Sequence, residues 1–385
     1  MSSNPSSSPD APPPVIGVVG LGTMGLGIAQ VFAQAGCRVL ATDALPAARE
    51  GAKAQLERAL GSRVAAGRME AAEAARALSR LWIVPGPEAM GEADIVIEAV
   101  VERLDAKTAL FGALEAVVGP AAVLATNTSS LSVKAIGAGL ARPERLIGLH
   151  FFNPAPAMKL VELVRPPGTD PGAAAMARGL CERAGKVVIE APDAPGFIVN
   201  RCARPFYGEA LALLEEGRAA PEIDAAMLAA GYRIGPLSLI DLIGADINLA
   251  ATEGLCAAMG GHPRYHVFET LRRQVAKGDL GRKTGRGLVF PGVPGAAPGD
   301  AGVIVLRIEA AMVNEAGWLL RDGGASRDGI DRAMTLGLNF PKGPFAALHQ
   351  HGPDRILDEL ARLEAATPAA LRGRYLPAPA LTEGS

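Results

Sequence analysis

The feature that most constrains this chain is a glycine triplet set between two kinds of apolar pattern. In VIGVVGLGTMGLGIA, Gly20, Gly22 and Gly25 stand in G-x-G-x-x-G spacing, after the strand-like run Val15 to Val19 and at the opening of a helical stretch. The first glycine permits a tight turn, the second lets backbone approach a pyrophosphate, and the third lets the helix pack close on the strand. The helix N-terminus then favours the phosphate charge. The spacing alone is common, and its context gives it meaning: strand before, helix after, second strand beyond. Leu21, Thr23 and Met24 belong to the same candidate cofactor loop. The second strand, Val39 to Thr42, ends at Asp43, where an acid would bind the adenosine ribose hydroxyls and repel a 2′-phosphate. NAD is therefore expected over NADP. Arg49 is a counter-signal, but it lies on the next helix. An aspartate here can also be only a turn or capping residue; the glycine context favours the ribose role.

Apolar runs and amphipathic stretches go on alternating beyond this point. DIVIEAV (Asp94 to Val100), VLAT (Val123 to Thr126), Leu146 to Phe152, Lys159 to Val164 and Lys186 to Ile189 read as strands, with helical segments such as Gly25 to Ala35 and Glu102 to Val118 between them. That succession argues for a parallel sheet covered on both faces. The expected fold is an α/β Rossmann-type dinucleotide-binding domain over 14–193, after a Ser/Pro-rich tail (1–13) expected to be disordered. An all-α C-terminal domain succeeds it over 194–290.

PGVPGAAPGD (Pro291 to Asp300) reads as a linker, and the segment on its C-terminal side repeats the one on its N-terminal side. RCARPFYGEALALLEEG (Arg201 to Gly217) resembles RIEAAMVNEAGWLLRDG (Arg307 to Gly323), EIDAAM matches GIDRAM, and GPLSLIDLIGAD matches GPFAALHQHGPD, at an offset of 106 to 108 residues. Three matches in order indicate a tandem duplication of the helical domain, with a second, degenerate copy over 301–378. It has no counterpart of PGFIVN and is read as structural.

Composition excludes several classes. The 38 Lys and Arg nearly cancel 40 Asp and Glu, which gives no electrostatic reason to expect nucleic acid or a membrane surface as partner. No apolar run approaches the roughly 20 residues of a membrane helix, and MSSNPSSSPDAPPP lacks the apolar segment of a secretory signal. Cys37, Cys181, Cys202 and Cys256 show neither paired nor metal-like spacing, so no metal site is expected. Scattered thiols fit a reducing, cytoplasmic setting.

Oxidising an alcohol needs a base for the hydroxyl proton, a group that orients the base, and donors for the carbonyl that forms. ATNTSSLSV (Ala125 to Val133), GLHFFNPAPAMKLVELV (Gly148 to Val164) and PGFIVNR (Pro195 to Arg201) supply such groups. Through GLGTMGLGIA, IEAVVE, TNTSS, LHFFNPAPAMKLVE, PGFIVNR, GPLSLIDLIG and LGRKTGRG, in consistent order from about Val15 to Gly287, the chain resembles the 3-hydroxyacyl-CoA dehydrogenase family. The resemblance implies NAD-dependent oxidation of an (S)-3-hydroxyacyl-CoA. It makes His150 the base and Glu162 its carboxylate partner, with Ser129 and Asn200 positioning the substrate. Glu102, Lys107, Asn127, Asn153 and Lys283 then accompany the glycine loop on the cofactor side.

Each residue has a plainer reading. His150 could be a core histidine, Glu162 a surface acid at a strand end, Ser129 and Ser130 caps of a helix near Ser132, and Asn200 a helix cap. As a set they favour catalysis. His150 and Glu162 sit on neighbouring runs joined by a Pro-rich turn and can face each other.

The chain also departs from the family. Ala59 and Ala66 stand where a Ser and a Lys often touch the CoA nucleotide; Arg58, Arg63 and Arg68 lie nearby, as phosphate ligands or as a solvated face. Gly287-Leu288-Val289 replaces the usual GFY. Val199 to Gly217 resembles a bacterial branch tied to phenylacetate-type degradation, acting on 3-hydroxyadipyl-CoA or 3-hydroxybutyryl-CoA. A dicarboxylyl substrate would need a distal cation, for which Arg204 is the candidate; its plainer role is a surface or interface arginine. The resemblance also implies pairing of helical domains, as a homodimer or, with two copies in one chain, intramolecularly. The alternatives are a dehydrogenase of a free hydroxy acid (gulonate or 3-hydroxyisobutyrate type, the latter with a catalytic lysine) and a crystallin-like protein that binds NAD without catalysis.

Overall fold

The computed structural model of the protein describes residues 13–382, so all but Pro13 of the expected disordered tail lies outside the described residues. The chain divides into two compact units between Val188 and Ile189, within the last strand.

The first unit is built on a sheet of β1 (Val15–Val19), β2 (Arg38–Thr42), β3 (Leu81–Ile83), β4 (Ile95–Glu98), β5 (Val123–Thr126), β6 (Leu146–Phe151), β7 (Leu160–Arg165) and β8 (Val187–Pro192). Their order is β3-β2-β1-β4-β5-β6-β7-β8. β1 to β6 pair in parallel, while β6 and β7 are antiparallel. Strands β4 and β5 are buried along their whole length, as near-continuous apolar runs between two helical layers must be. Ile16, Val18, Ile28, Phe32, Val39, Ile97, Leu149 and Val161 belong to one core cluster. β3 escapes the sequence reading because LWI is only three residues long and Trp82 points out, its ring under the Arg38 guanidinium.

The parallel pairing has a direct consequence for function. The C-terminal ends of β1, β4, β5 and β6 lie on one edge, so the segments that leave them, which begin at Gly20, Ala99, Asn127 and Phe152, all start there. In open α/β sheets this edge, at the reversal of strand order, is where ligands bind. Here the reversal falls between β1 and β4.

The second unit is helical, and the duplicated motifs recur as matched devices. Asp224 of EIDAAM accepts N–H bonds from Leu237 (2.9 Å) and Ser238 (2.7 Å) at the start of the helix Pro236–Ile243. Asp331 of GIDRAM does the same for Phe345 and Ala346 (2.8 Å each) at the start of Pro344–His351. Each aspartate satisfies orphan amides of the next helix. A Cβ on Gly235 or Gly343 would come within 2.4 Å of the aspartate, which is why both motifs begin with Gly-Pro.

The two copies also pack on each other reciprocally. Arg201 donates from Nε to Glu315 (2.6 Å), and its counterpart Arg307 donates from Nε to Glu209 (2.8 Å), the counterpart of Glu315. Asp322 and Glu216 take the second nitrogen of each arginine. Arg264 and Tyr265 complete the Glu315 cluster, as Arg374 and Tyr375 complete the Glu209 cluster. Phe206, Tyr232 and Phe340 stack across the same junction, with ring centroids 4.7 to 5.4 Å apart. Buried charges with these fixed forks fix the register of the pairing more than they add stability. No helix among the described residues is long and apolar enough to cross a membrane.

Candidate active site

The glycine loop is set by sterics. Gly20 has φ 98°, and a Cβ there would strike the Ala99 carbonyl at 2.4 Å; a Cβ on Gly25 would lie 1.8 Å from the Gly20 carbonyl. At Gly22, by contrast, a Cβ would meet nothing within 4 Å, so this glycine leaves open the approach that a pyrophosphate requires. The helix Thr23–Gln34 starts at Gly22 without a side-chain cap, which leaves its first amides for a ligand. Asp43 does two things at once. Its carboxylate accepts the Leu21 N–H (2.7 Å), holding the loop, and the Leu45 N–H (2.8 Å) as a turn residue. Arg49 donates to the backbone carbonyl of Asp43, so its guanidinium is engaged by the main chain beside that carboxylate. These residues fit a dinucleotide.

A buried acid that the sequence reading did not single out organises the next two loops. Glu98, the last residue of β4, is fully buried; it accepts from the Val100 N–H (2.7 Å), Lys107 Nζ (2.5 Å) and the Thr126 hydroxyl (2.7 Å). Lys107, 1% exposed, also reaches Glu102 at 3.1 Å. Glu102 gathers the TNTSS loop: the Thr128 hydroxyl (2.6 Å), the Ser129 N–H (2.9 Å) and the Ser130 hydroxyl (3.0 Å) all donate to one of its oxygens. Partial burial opposes its charge, yet the Thr128 hydroxyl, Lys107 and the Ser129 amide outweigh that and hold its pKa below the usual carboxylate range. The short helix Val133–Ile136 is capped by Ser132, so Ser129 and Ser130 are not its caps. An acid ending the apolar run IVIE was the available signal for Glu98.

His150 and Glu162 are directly opposite each other in the β6–β7 ladder. Cross-strand partners share a face of the sheet, and here Nδ1 of His150 meets Oε2 of Glu162 at 2.6 Å, with Glu162 fully buried. The carboxylate is an obligate acceptor, so Nδ1 carries the proton and Nε2 is the basic nitrogen. Two further side chains fix the surroundings. Asn127 accepts the Phe151 N–H at 2.9 Å, beside His150. Lys186 donates to the carbonyls of Ala155 (2.6 Å) and Met158 (2.8 Å), pinning the connection between β6 and β7. Burial lowers the Lys186 pKa; this positioning lysine was missed because its context, AGKVV, reads as an ordinary strand start. Asn153 is exposed at the beginning of that connection.

Asn200 and Lys283 belong to the second unit. Gly196 and Phe197 both have positive φ (75° and 48°) and turn the chain sharply before the helix Val199–Cys202, which carries Asn200 in its interior, not at its cap. A left-handed, buried phenylalanine is an uncommon strain of the kind found at functional sites. Lys283 is bound to both carboxylate oxygens of Asp246 (2.6 and 2.7 Å) at the surface. In place of the family's GFY corner, Asp241 accepts the N–H groups of Leu288, Val289 and Phe290 at 2.7 to 2.8 Å. On the first unit, Ala59, Ala66, Arg58 and Arg68 are exposed and Arg63 is half-buried; none of these arginines has an acid partner among the described residues. Among those residues no group of His, Cys, Asp and Glu could hold a metal ion.

A glycine turn with an open approach to an uncapped helix start, and an imidazole bonded to a buried acid on the same sheet edge, define a class, the dinucleotide-dependent dehydrogenases. Comparisons with known proteins narrow it. The model of the 3-hydroxyacyl-CoA dehydrogenase NAD binding domain matches residues 15–194, and that of the C-terminal domain matches 196–289 and again 302–383. The chain is 36% identical to a 3-hydroxyadipyl-CoA dehydrogenase of Escherichia coli K12, over 91% of this chain and 93% of that protein. It is 41% identical to a probable 3-hydroxybutyryl-CoA dehydrogenase of Bacillus subtilis, over 70% of this chain and 94% of the relative. The crystal structure of a 3-hydroxybutyryl-CoA dehydrogenase from Escherichia coli K12 superimposes with a TM-score of 0.90 at 33% identity, covering 97% of this chain and 98% of that one. The chain belongs to the 3-hydroxyacyl-CoA dehydrogenase family and is an NAD-dependent oxidoreductase of 3-hydroxyacyl-CoA thioesters.

Proposed function

We propose that the chain oxidises short-chain or dicarboxylyl (S)-3-hydroxyacyl-CoA thioesters with His150 as general base. The observation that carries this is the 2.6 Å bond between His150 Nδ1 and Glu162, on the sheet edge where the glycine turn opens. Nε2 takes the proton of the 3-hydroxyl group, and Glu162 steadies the imidazolium that results. Ser129 and Asn200 donate hydrogen bonds to the substrate oxygens. NAD held there would supply the acceptor for the hydride that leaves C3; the alcohol becomes a ketone and the proton rests on His150. The turn from Gly20 to Gly25 holds the pyrophosphate and Asp43 the ribose. Glu102, Asn127, Asn153 and Lys283 line the cofactor. Lys107, buried between Glu98 and Glu102, acts by positioning Glu102. Arg58, Arg63 and Arg68 serve the CoA phosphates. The reciprocal arginine–glutamate clusters support intramolecular pairing of the helical copies in place of a homodimer contact.

The direct test monitors NADH consumption in the reverse direction with acetoacetyl-CoA and with free acetoacetate. Turnover of the thioester, with the free acid slower by orders of magnitude, is expected. Equal use of the free acid would overturn the reading in favour of a free hydroxy acid dehydrogenase, and no turnover of either would favour a silent NAD-binding protein. Asp43→Ser should narrow the preference for NAD over NADP about 10-fold, since a hydrogen bond to a charged group contributes about 1.5–3 kcal/mol. An unchanged kcat/KM ratio for the two cofactors would remove Asp43 from the ribose role.

A further inference from the structure

We propose that Arg204 selects acyl-CoA substrates whose chain ends in a carboxylate, with the Asn248 amide as its helper. This rests on the function proposed above and names the specificity of that same site.

Arg204 opens the helix Arg204–Glu215, one turn after Asn200. Its Nε donates to the Asn200 carbonyl (3.1 Å), its Nη1 donates to the Thr252 hydroxyl (3.1 Å), and its guanidinium lies over the Tyr207 ring at 4.9 Å. Every partner is neutral. Arg201, Arg307 and Arg374, the buried arginines of the same unit, each hold at least one carboxylate. Arg204 holds none among the described residues, although burial works against its charge. Enclosed cations are normally paired, and one without a counter-ion lacks the interaction that a carboxylate supplies.

A second group beside it is also unsatisfied. Asn248 is 2% exposed and its Oδ1 has no hydrogen-bond partner. It lies one turn before Thr252, whose hydroxyl donates to the Asn248 carbonyl (2.7 Å) and accepts from Arg204. The cavity on the inner side of Arg204, lined also by Tyr207, Thr252 and Tyr265, is about 10 Å³, room for no more than a single water. A counter-ion must therefore arrive from the open side, where Arg204 keeps part of its exposure. A substrate whose reacting carbon is held at Asn200, and whose chain ends a few bonds further on in a carboxylate, brings that counter-ion with it. A planar fork binds a carboxylate with two parallel bonds, and the Asn248 amide, turned over so that its nitrogen takes the orphaned Oδ1 position, can donate a third.

The test compares 3-oxoadipyl-CoA with 3-oxohexanoyl-CoA, which has the same chain length and a neutral end, as substrates of the whole enzyme with NADH. The native enzyme should prefer the carboxylate ester. Arg204→Met should lower the ratio of the two kcat/KM values about 10- to 100-fold, mainly through KM, and Arg204→Lys should restore part of it. Asn248→Asp, which gives Arg204 an internal counter-ion, should also lower the ratio; it keeps the native arginine and so guards against misfolding of the first variant. A native enzyme without preference, or an Arg204→Met variant that loses both esters equally, would overturn the proposal. Turnover of acetoacetyl-CoA in the same assays keeps the broader function standing when only the selectivity fails; its absence would bring down both.

Discussion

Replacing His150 with Gln should reduce kcat for 3-hydroxyacyl-CoA oxidation by about 10²- to 10⁴-fold, the usual contribution of a general base, while NAD affinity changes little. The glutamine fills the same space between β6 and β7 and still bonds Glu162, but it cannot take a proton. Glu162→Gln tests the other half of the pair. An amide opposite Nδ1 can favour the wrong tautomer and cannot steady an imidazolium, so a loss of similar size is expected. Because the two groups act as a unit, the double variant should be scarcely slower than the worse single one. Steady-state NADH formation for the three variants checks this. Full multiplication of the two losses would mean that Glu162 acts on something other than His150.

The second large effect is on stability. Glu209 is 1% exposed and accepts from Arg307, Arg374 and Tyr375. Truncation to Ala leaves the enclosed Arg374 without an acid and Arg307 with Glu216 alone, and breaking a buried pair in this way costs about 3–5 kcal/mol. Glu315→Ala should cost a similar amount, through Arg201, Arg264 and Tyr265. Urea midpoints at constant slope would measure both. Midpoints that hardly move would show that these clusters are not what holds the copies in register. The same charges set a pH dependence. Burial alone would raise the Glu209 pKa, but Arg374 and Arg307 outweigh it and hold the folded-state value below normal. Its contribution is therefore complete above the ordinary carboxylate pKa and is lost as pH falls through the lower, folded value. The stability gap between native protein and Glu209→Ala should close in acid.

Much of the fold is legible in the sequence. The glycine turn, the order of strands from VIGVV to VLAT, the helical second half and its duplication all rest on local patterns, and the structure places elements close to where those patterns put them. β3 is lost to such reading, because three residues carry too little pattern. The antiparallel sense of β6 and β7 is not legible either, although the Pro-rich connection between His150 and Glu162 allows for one. Glu98 and Lys186 go unremarked because a charge beside an apolar run normally reads as a strand end at the surface. Only folding reveals that one is fully buried beneath two loops and the other grips two carbonyls.

Sequence alone determined the residue types, the periodicities and the steric demands of Gly25, Gly235 and Gly343, because these depend on neighbours about a dozen residues away or fewer or on motifs that repeat, whereas Gly20 is crowded by Ala99 at the end of the neighbouring strand. Tertiary structure decided which charges meet. Residues 12 apart face each other only through the β6–β7 register, and arginines and glutamates more than 90 apart pair only because two homologous helices cross. Those contacts are set by packing in three dimensions, and the same packing left Arg204 without an acid while it supplied one to each of its buried neighbours.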